Sequence, residues 1–324
     1  MITKKYIQDV KDDFRIVSPH KQIDANESIF FALELQHIES QVVEVEYQDL
    51  MARQIIPISM EADPADETIA YYQFDKVGNA KIVIDYANDF PRVDLLGQKF
   101  TSTIRSLGDA FGYSVQEIRA ARKVNRPLTT MLAEVAKRAA MELEDELAWF
   151  GDSTHGIPGF FTNPNIPVLS LPNDGTGNSV AWADKTPDQI LRDLNLIVNT
   201  IVSNTLAVEK MKKLVLLPYD SYNYIESTPR SSTTDTTILS FFLKNNAYVE
   251  GVQPLNETSA LGPGGTRGIM AFTKSNLKVK MHIPQDFEMF PVQEKGLSFE
   301  VPCHSRFGGV IWYKPGSAMI AYGI

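Results

Sequence analysis

Apolar residues recur at helical spacing from about Glu27 to Arg53, at Phe30, Leu33, Ile38, Val42, Val45 and Met51. Asn26 stands where it can cap that helix. Pro57 bars its continuation, so IIPISM leaves in extended form. After a polar break at 61–66 the period changes to two. TIAYYQFD and AKIVIDYA flank Lys76-Val77-Gly78-Asn79, where Gly78-Asn79 supplies a turn. Pro91 confines the next part to an edge or loop, and GQKFTSTIRSL alternates again as a strand. Residues 67–108 thus form an aromatic, alternating stretch without a helix of its own. It is too long for a tidy hairpin and is expected to project as a ribbon.

The helical period then returns. Ser114 and Glu117 make an S-x-x-E capping box, which starts a helix at Val115. Pro127 ends one turn and can open the next as a first helical residue. Leu128, Leu132, Val135, Ala139, Leu143 and Leu147 follow at spacings of three and four, up to Gly151 as C-terminal cap. Leu132, Val135, Leu143 and Leu147 are the expected buried face, packed on GGVIWYK and AMIAYGI near the C-terminus.

Residues 163–185 read as loop. TPDQILRDLNLIVNTIVSNTL carries a Thr-Pro-Asp helix start. KKLVLLP is a buried strand, SYNYIES and TTILSFFLKNN are short helices around the polar loop STPRSSTTDTT, and AYVEGVQP and IMAFTK are strands either side of LGPGGTRG. This alternation over 186–275 predicts a compact α/β lobe. From Asn276 onward the pattern is β, in LKVKMHIP, LSFEVPCHS, GGVIWYK and AMIAYGI, with a type II turn candidate at Lys314-Pro315-Gly316-Ser317. The class is α+β.

At 324 residues the chain exceeds one compact core, so two or three lobes are expected. A formal net charge of −9 argues against a general nucleic-acid-binding surface but suits the wall of a container. The single cysteine, Cys303, rules out an internal disulfide and suits a reducing compartment. No signal peptide or membrane span is readable.

Catalytic chemistry has little footing. His20, His37, His155, His282 and His304 show no metal-pair spacing. Cys303 and His304 adjoin in a strand pattern, so they point to opposite faces and suit a buried thiol and a surface imidazole. The glycine loop Gly262–Gly268 lacks the Gly-Lys-Ser/Thr ending of a phosphate cradle, and Pro263 removes a donor. Glu142, Glu144, Asp145 and Glu146 gather at the helix C-terminus, the unfavourable end for the dipole. They suit a solvated face, or else Arg92, Lys99, Arg119 or Arg122 offsets them.

The stretch from Arg53 to Val168 is similar to the encapsulin-like branch of tailed-phage major capsid proteins, the Hong Kong 97 type. The residues carrying the resemblance are the extended IPI at Pro57, the Tyr-x-x-Phe-Asp-x-x-Gly-x-Ala pattern around Tyr72–Ala80, which begins at Tyr71, and Asp89-Phe90-Pro91. Beyond them come Gly112-Tyr113-Ser114, Glu144-Asp145 with Gly151, and Gly156-Ile157-Pro158-Gly159-Phe160. The middle third of the chain matches well, and 186–275 matches only in pattern.

The resemblance implies a Hong Kong 97-type capsid fold. Its parts would be an N-terminal arm (1–65), an extended loop (66–112), a peripheral domain with a long spine helix (113–185, completed by strands in 276–324) and an α/β axial domain (186–275). It implies pentamers and hexamers of an icosahedral virion shell around double-stranded DNA, bound without sequence preference, made in the host cytoplasm. It brings a portal protein as partner, with scaffolding or decoration proteins as further candidates, and no cofactor, metal or membrane. Tyr71, Tyr72, Phe74, Lys76, Arg92, Lys99, Glu142, Glu144, Asp145 and Glu146 are the expected inter-subunit contacts. An encapsulin compartment holding a cargo enzyme is the alternative, and an α/β enzyme with its pocket in 186–275 a remote one.

Overall fold

The computed structural model describes residues 48–77, 94–123, 127–231 and 233–324. Most of the helix expected at 27–53, the Gly78-Asn79 turn and Pro91 lie outside these residues. Where the expected helix enters the described chain, Gln48–Met51 is not helical and a single turn, Ala52–Ile55, stands alone. It starts afresh because the Asp145 carboxylate takes the Ala52 amide at 2.8 Å. Ile58–Ser59 then leaves as a strand, as the Pro57 reading requires.

The α/β lobe is built on a five-stranded sheet. Its order is Val168–Leu169, Ala318–Tyr322, Gly268–Phe272, Lys213–Leu217 and Val249–Pro254. The central strands read as unbroken apolar runs because both faces are covered. Leu214, Leu216, Met270, Phe272, Ala318 and Ile320 enter one core, while Val215, Leu217, Ile269, Ala271, Met319 and Ala321 enter the other. The second core is closed by the helices Pro187–Asn204, Tyr219–Ser227 and Ile238–Asn245.

Two expectations change here. AMIAYGI was expected among strands outside the lobe, yet Ala318–Tyr322 is a central strand of the lobe sheet, since only alternate residues can face each core. STPRSSTTDTT was expected as a polar loop, yet Pro229–Ser231 and Thr234–Thr237 pair as a small hairpin. Its threonines favour extended backbone, and the Arg230 guanidinium lies 3.9 Å from the Phe241 ring centroid.

The first core is aromatic. Phe160, fully buried, meets Trp149 edge-on at 5.4 Å, Phe272 at 5.0 Å and Trp312 at 5.0 Å. Both indole donors are satisfied: Trp312 Nε1 donates to the Phe160 carbonyl at 3.0 Å and Trp149 Nε1 to Asp145 at 2.9 Å. A second sheet lies beyond it. Ser298–Phe307 pairs along all of Arg105–Ser114 on one side, and with Gln285–Met289 and Gln293–Lys295 on the other. On that strand Cys303 is buried and His304 is partly exposed, on opposite faces. A third, small sheet has Val279–His282 between Ile58–Ser59 and Val310–Trp312.

The spine helix, Leu128–Phe150, runs 23 residues and ends at Gly151. Its buried face differs from the expected one. Ala136, Glu144, Asp145, Leu147, Ala148 and Trp149 are buried, whereas Val135 is 65% and Leu143 44% exposed. Apart from Ala136 only the last two turns are embedded, and Met131, Val135, Ala139 and Leu143 form an exposed stripe at spacings of four. Of the expected face, Leu147 alone is buried and Leu132 is half-buried. Leu143→Ala is therefore expected to lower the subunit's unfolding free energy by less than about 1 kcal/mol, against the 2–5 kcal/mol of a core leucine.

Candidate functional site

The strand Thr68–Val77 was expected beside AKIVIDYA, which lies outside the described residues. It pairs antiparallel with Asp94–Thr103, in register from Thr68↔Thr103 to Val77↔Asp94. Alternation then gives the ribbon two faces. On one, Tyr72 and Phe74 are 62% and 61% exposed and stack at 6.3 Å. Exposed Lys99 lies opposite Tyr72, and Gly97 lies opposite Phe74, whose ring covers the place a side chain would fill. Lys76 pairs with Leu95, which is exposed. Arg92 lies outside the described residues.

The other face joins the body. Tyr71 stacks on Phe100 at 5.2 Å and meets the Tyr313 ring edge-on at 4.9 Å. Its partial burial raises its pKa. Ser102 on this face reaches the Gly308 carbonyl at 3.4 Å, and at the ribbon's root Thr103 Oγ1 donates to the Gly156 carbonyl at 2.9 Å and Arg105 Nε to the His155 carbonyl at 3.0 Å. Tyr71 is thus an anchor, while Tyr72, Phe74 and Lys99 are free to meet something else.

The acid cluster divides. Glu144 accepts from Arg53 Nε and Nη2, both at 2.7 Å, and Arg53 Nη2 also reaches Asp286 at 2.8 Å. These bonds hold the guanidinium protonated far above its usual range and lower the Asp286 pKa. Asp145 accepts from the Ala52 amide and the Trp149 indole, and its burial raises its pKa against those hydrogen bonds. Glu142 pairs with Arg138 one turn back, and Glu146 is exposed. The basic partner of Glu144 is Arg53, rather than Arg92, Lys99, Arg119 or Arg122. Glu144 and Asp145 are held inside the subunit, which leaves Glu142 and Glu146 facing outward.

Among the described residues no cluster of histidine, cysteine and carboxylates could hold a metal, and no helix is long and apolar enough to cross a membrane. Two surface depressions, of about 370 and 210 Å³, are lined by residues such as Phe111 and Phe299, and Leu143 and Phe287, all outside 186–275.

A two-stranded ribbon with an outward aromatic face, a long helix anchored by its last turns and a two-core α/β lobe make up a fold of the Hong Kong 97 type. The chain belongs to the major capsid protein family, whose model matches residues 78–324. The fold is similar to the capsid of Myoviridae phage XM1, at 17% identity and a TM-score of 0.78 over 92% of this chain and 99% of that one. The capsid of a native GTA particle gives 10% identity and a TM-score of 0.63 over 92% and 99%. The virus-like particle from Pyrococcus furiosus gives 11% identity and a TM-score of 0.51 over 83% and 90%. No curated protein sequence matches the chain.

Sequence reasoning missed Arg53, Asp286 and the His282–Tyr313 contact. Arg53 had a readable charge, but nothing local indicates a partner 91 positions away.

Proposed function

We propose that this subunit assembles as pentamers and hexamers into the icosahedral shell of a tailed-phage virion, enclosing double-stranded DNA without sequence-specific contacts. The observation that carries the reading is the ribbon's outward face, where Tyr72, Phe74 and Leu95 are about three-fifths exposed beside Lys99. A lone subunit gains nothing by exposing that apolar area, and a neighbouring copy covers it. Lys76, Arg92, Glu142 and Glu146 are further contact candidates. Glu144 and Asp145 act on assembly only through the subunit's own stability. The net charge of −9 keeps a wall from adhering to packaged DNA.

The arm would be 1–65, the extended loop 66–112, the axial domain 186–275, and 113–185 with 276–324 the peripheral domain, whose strand Ala318–Tyr322 completes the axial sheet. The pairing of Arg105–Ser114 with Ser298–Phe307 supports ending the loop's free part near Ile104. Synthesis in the host cytoplasm, a portal partner, and scaffolding or decoration proteins as further candidates belong to this reading, and the role is structural rather than catalytic. A cargo-holding compartment is the second reading, favoured by the likeness to the Pyrococcus furiosus particle.

Electron microscopy of the purified chain is expected to show closed shells or rings. Deleting Lys76–Asn88 should leave a folded subunit that closes no shell, because the lobe cores lie elsewhere. Intact particles from that variant, or a monodisperse monomer of the parent chain at high concentration, would overturn the reading. Particles isolated from the natural source and treated with nuclease separate the alternatives: protected DNA supports the virion, a packed enzyme the compartment.

A further inference from the structure

Where the ribbon meets the body, one titratable side chain is buried beneath the junction. His282 is 3% exposed. Its Nε2 lies 3.0 Å from the Tyr313 hydroxyl, and Tyr313 is the residue against which Tyr71 of the ribbon rests. The His282 backbone holds the turn the ribbon leans on: its amide donates to the Gly309 carbonyl at 3.0 Å, and its carbonyl accepts from Gly308 at 2.9 Å. Gly308 is wedged between ribbon and histidine. A Cβ there would lie 2.8 Å from Ile69 Cδ1 and 3.1 Å from His282 Cβ. The Gly308 carbonyl also accepts from Ser102 of the ribbon at 3.4 Å.

This arrangement suits a neutral imidazole and not a charged one. His282 Nδ1 is buried with no hydrogen-bond partner, and so is Ser59 Oγ at the facing position of the neighbouring strand. An imidazolium carries a proton on both nitrogens, and in this geometry Nδ1–H would have no acceptor, since even the facing Ser59 hydroxyl makes no hydrogen bond to Nδ1. The charged groups around it do not compensate. Lys280 on the same strand opposes the charge, and Glu61 favours it but is exposed and lies 3.3 Å from Lys280. Tyr313 and Tyr71 are neutral phenols whose burial raises their pKa values. Arg105, at the far side of the root, donates to the His155 carbonyl, and His155 faces Asp152 at 2.5 Å. Arg306, on the strand leading to Gly308, donates to the Pro64 carbonyl. Burial accordingly lowers the His282 pKa from 6.5 to about 4.

We propose that His282 is a proton-operated latch: neutral, it holds Tyr313 and the Gly308-Gly309 turn under the ribbon; protonated, it releases the ribbon root from the body. The sign follows from linkage. The open root, with the imidazole in water, binds the proton more tightly than the closed root. Closure is therefore fully favoured above about pH 6.5 and weakens as pH falls towards the closed-state value.

The test is hydrogen exchange of assembled full-length protein, corrected for intrinsic rates, between about pH 7 and pH 4.5. Amides of 68–77 and 94–103 are compared with those of the lobe strands 213–217 and 268–272. Ribbon protection is expected to fall on the order of tenfold between about pH 6.5 and pH 5, while the lobe stays level. His282→Gln can still meet the Tyr313 hydroxyl but cannot titrate, so its ribbon protection should be independent of pH. A His282→Gln curve that follows the parent overturns the latch. In the unmodified protein, exchange of the imidazole Cε1 hydrogen gives the His282 titration directly. A titration unaccompanied by loss of ribbon protection overturns it too, even if the variant does not fold. Neither readout depends on which shell the subunit builds.

Discussion

Replacing Gly159 with alanine is expected to abolish the folded subunit. The spine helix ends at Gly151 with φ +65° and ψ −172°, a backbone region open essentially to glycine alone. The chain then turns back on itself through paired Asp152 and Ile157, whose amide-to-carbonyl distances are 2.9 and 2.8 Å. It returns against the helix's last turn, where Phe160 and Phe161 amides donate to the Ala148 and Trp149 carbonyls at 2.8 and 3.0 Å. A methyl on Gly159 would run into the Phe150 carbonyl group and the Gly151 amide. Both obstacles are backbone, so no rotamer change relieves the clash. The only escape is to lift Phe160 out of the aromatic core, where it is fully buried. Losing that ring alone costs about 3–5 kcal/mol, much of a typical domain's stability. Gly316→Ala is the control, since nothing lies within 4 Å of a Cβ there. Soluble yield and a denaturation curve decide it. A Gly159→Ala subunit that unfolds cooperatively at the parent's midpoint would show that the helix and the returning chain are not in contact.

The features legible in the sequence are those whose causes are local. The capping box at Ser114 and Glu117 appears as read, with the Ser114 amide on Glu117 at 2.7 Å and the Glu117 amide on Ser114 Oγ at 3.2 Å. The Thr186 start and the strand–helix order of the lobe follow for the same reason. Partner choice between distant segments was not legible. Thr68–Val77 pairs with residues beginning at Asp94, and that register is held by the Tyr71–Phe100–Tyr313 stack, which no local signal announces. The spine helix misled for a different physical reason. Apolar spacing marks the core face only if the helix is buried by its own subunit. Here the Met131–Leu143 stripe is exposed, and two carboxylates occupy buried positions instead. Acidic residues mark a solvated face only when nothing nearby satisfies them, and Arg53, the Ala52 amide and the Trp149 indole do so here.

Reversing charge at Glu144 and at Glu146 is expected to have opposite readouts, although the two are half a turn apart. Glu144 is 6% exposed at its side chain and takes two hydrogen bonds from Arg53, which is 25% exposed. Through Arg53 it ties the turn Ala52–Ile55 to the end of the spine helix and to Asp286. Glu144→Lys sets an ammonium against that guanidinium within the subunit and leaves both short of an acceptor. Removing one partner of a buried pair costs about 3–5 kcal/mol, and the partly exposed guanidinium retains some hydration and Asp286, so about 2–4 kcal/mol is expected. The loss should appear in the unfolding of isolated subunits and change only modestly with added salt, because the Glu144 carboxylate is buried even though Arg53 is partly exposed. Arg53→Lys should recover only part of the contact, since a single ammonium cannot reproduce the two-pronged bond. Glu146→Lys, at an exposed position, should leave unfolding within about 0.5 kcal/mol of the parent. If Glu146 meets a neighbouring copy, its reversal lowers the yield of closed particles, and more so at low salt. A Glu144→Lys subunit with unchanged unfolding that fails only at assembly would place Glu144 between subunits and break the link to Arg53.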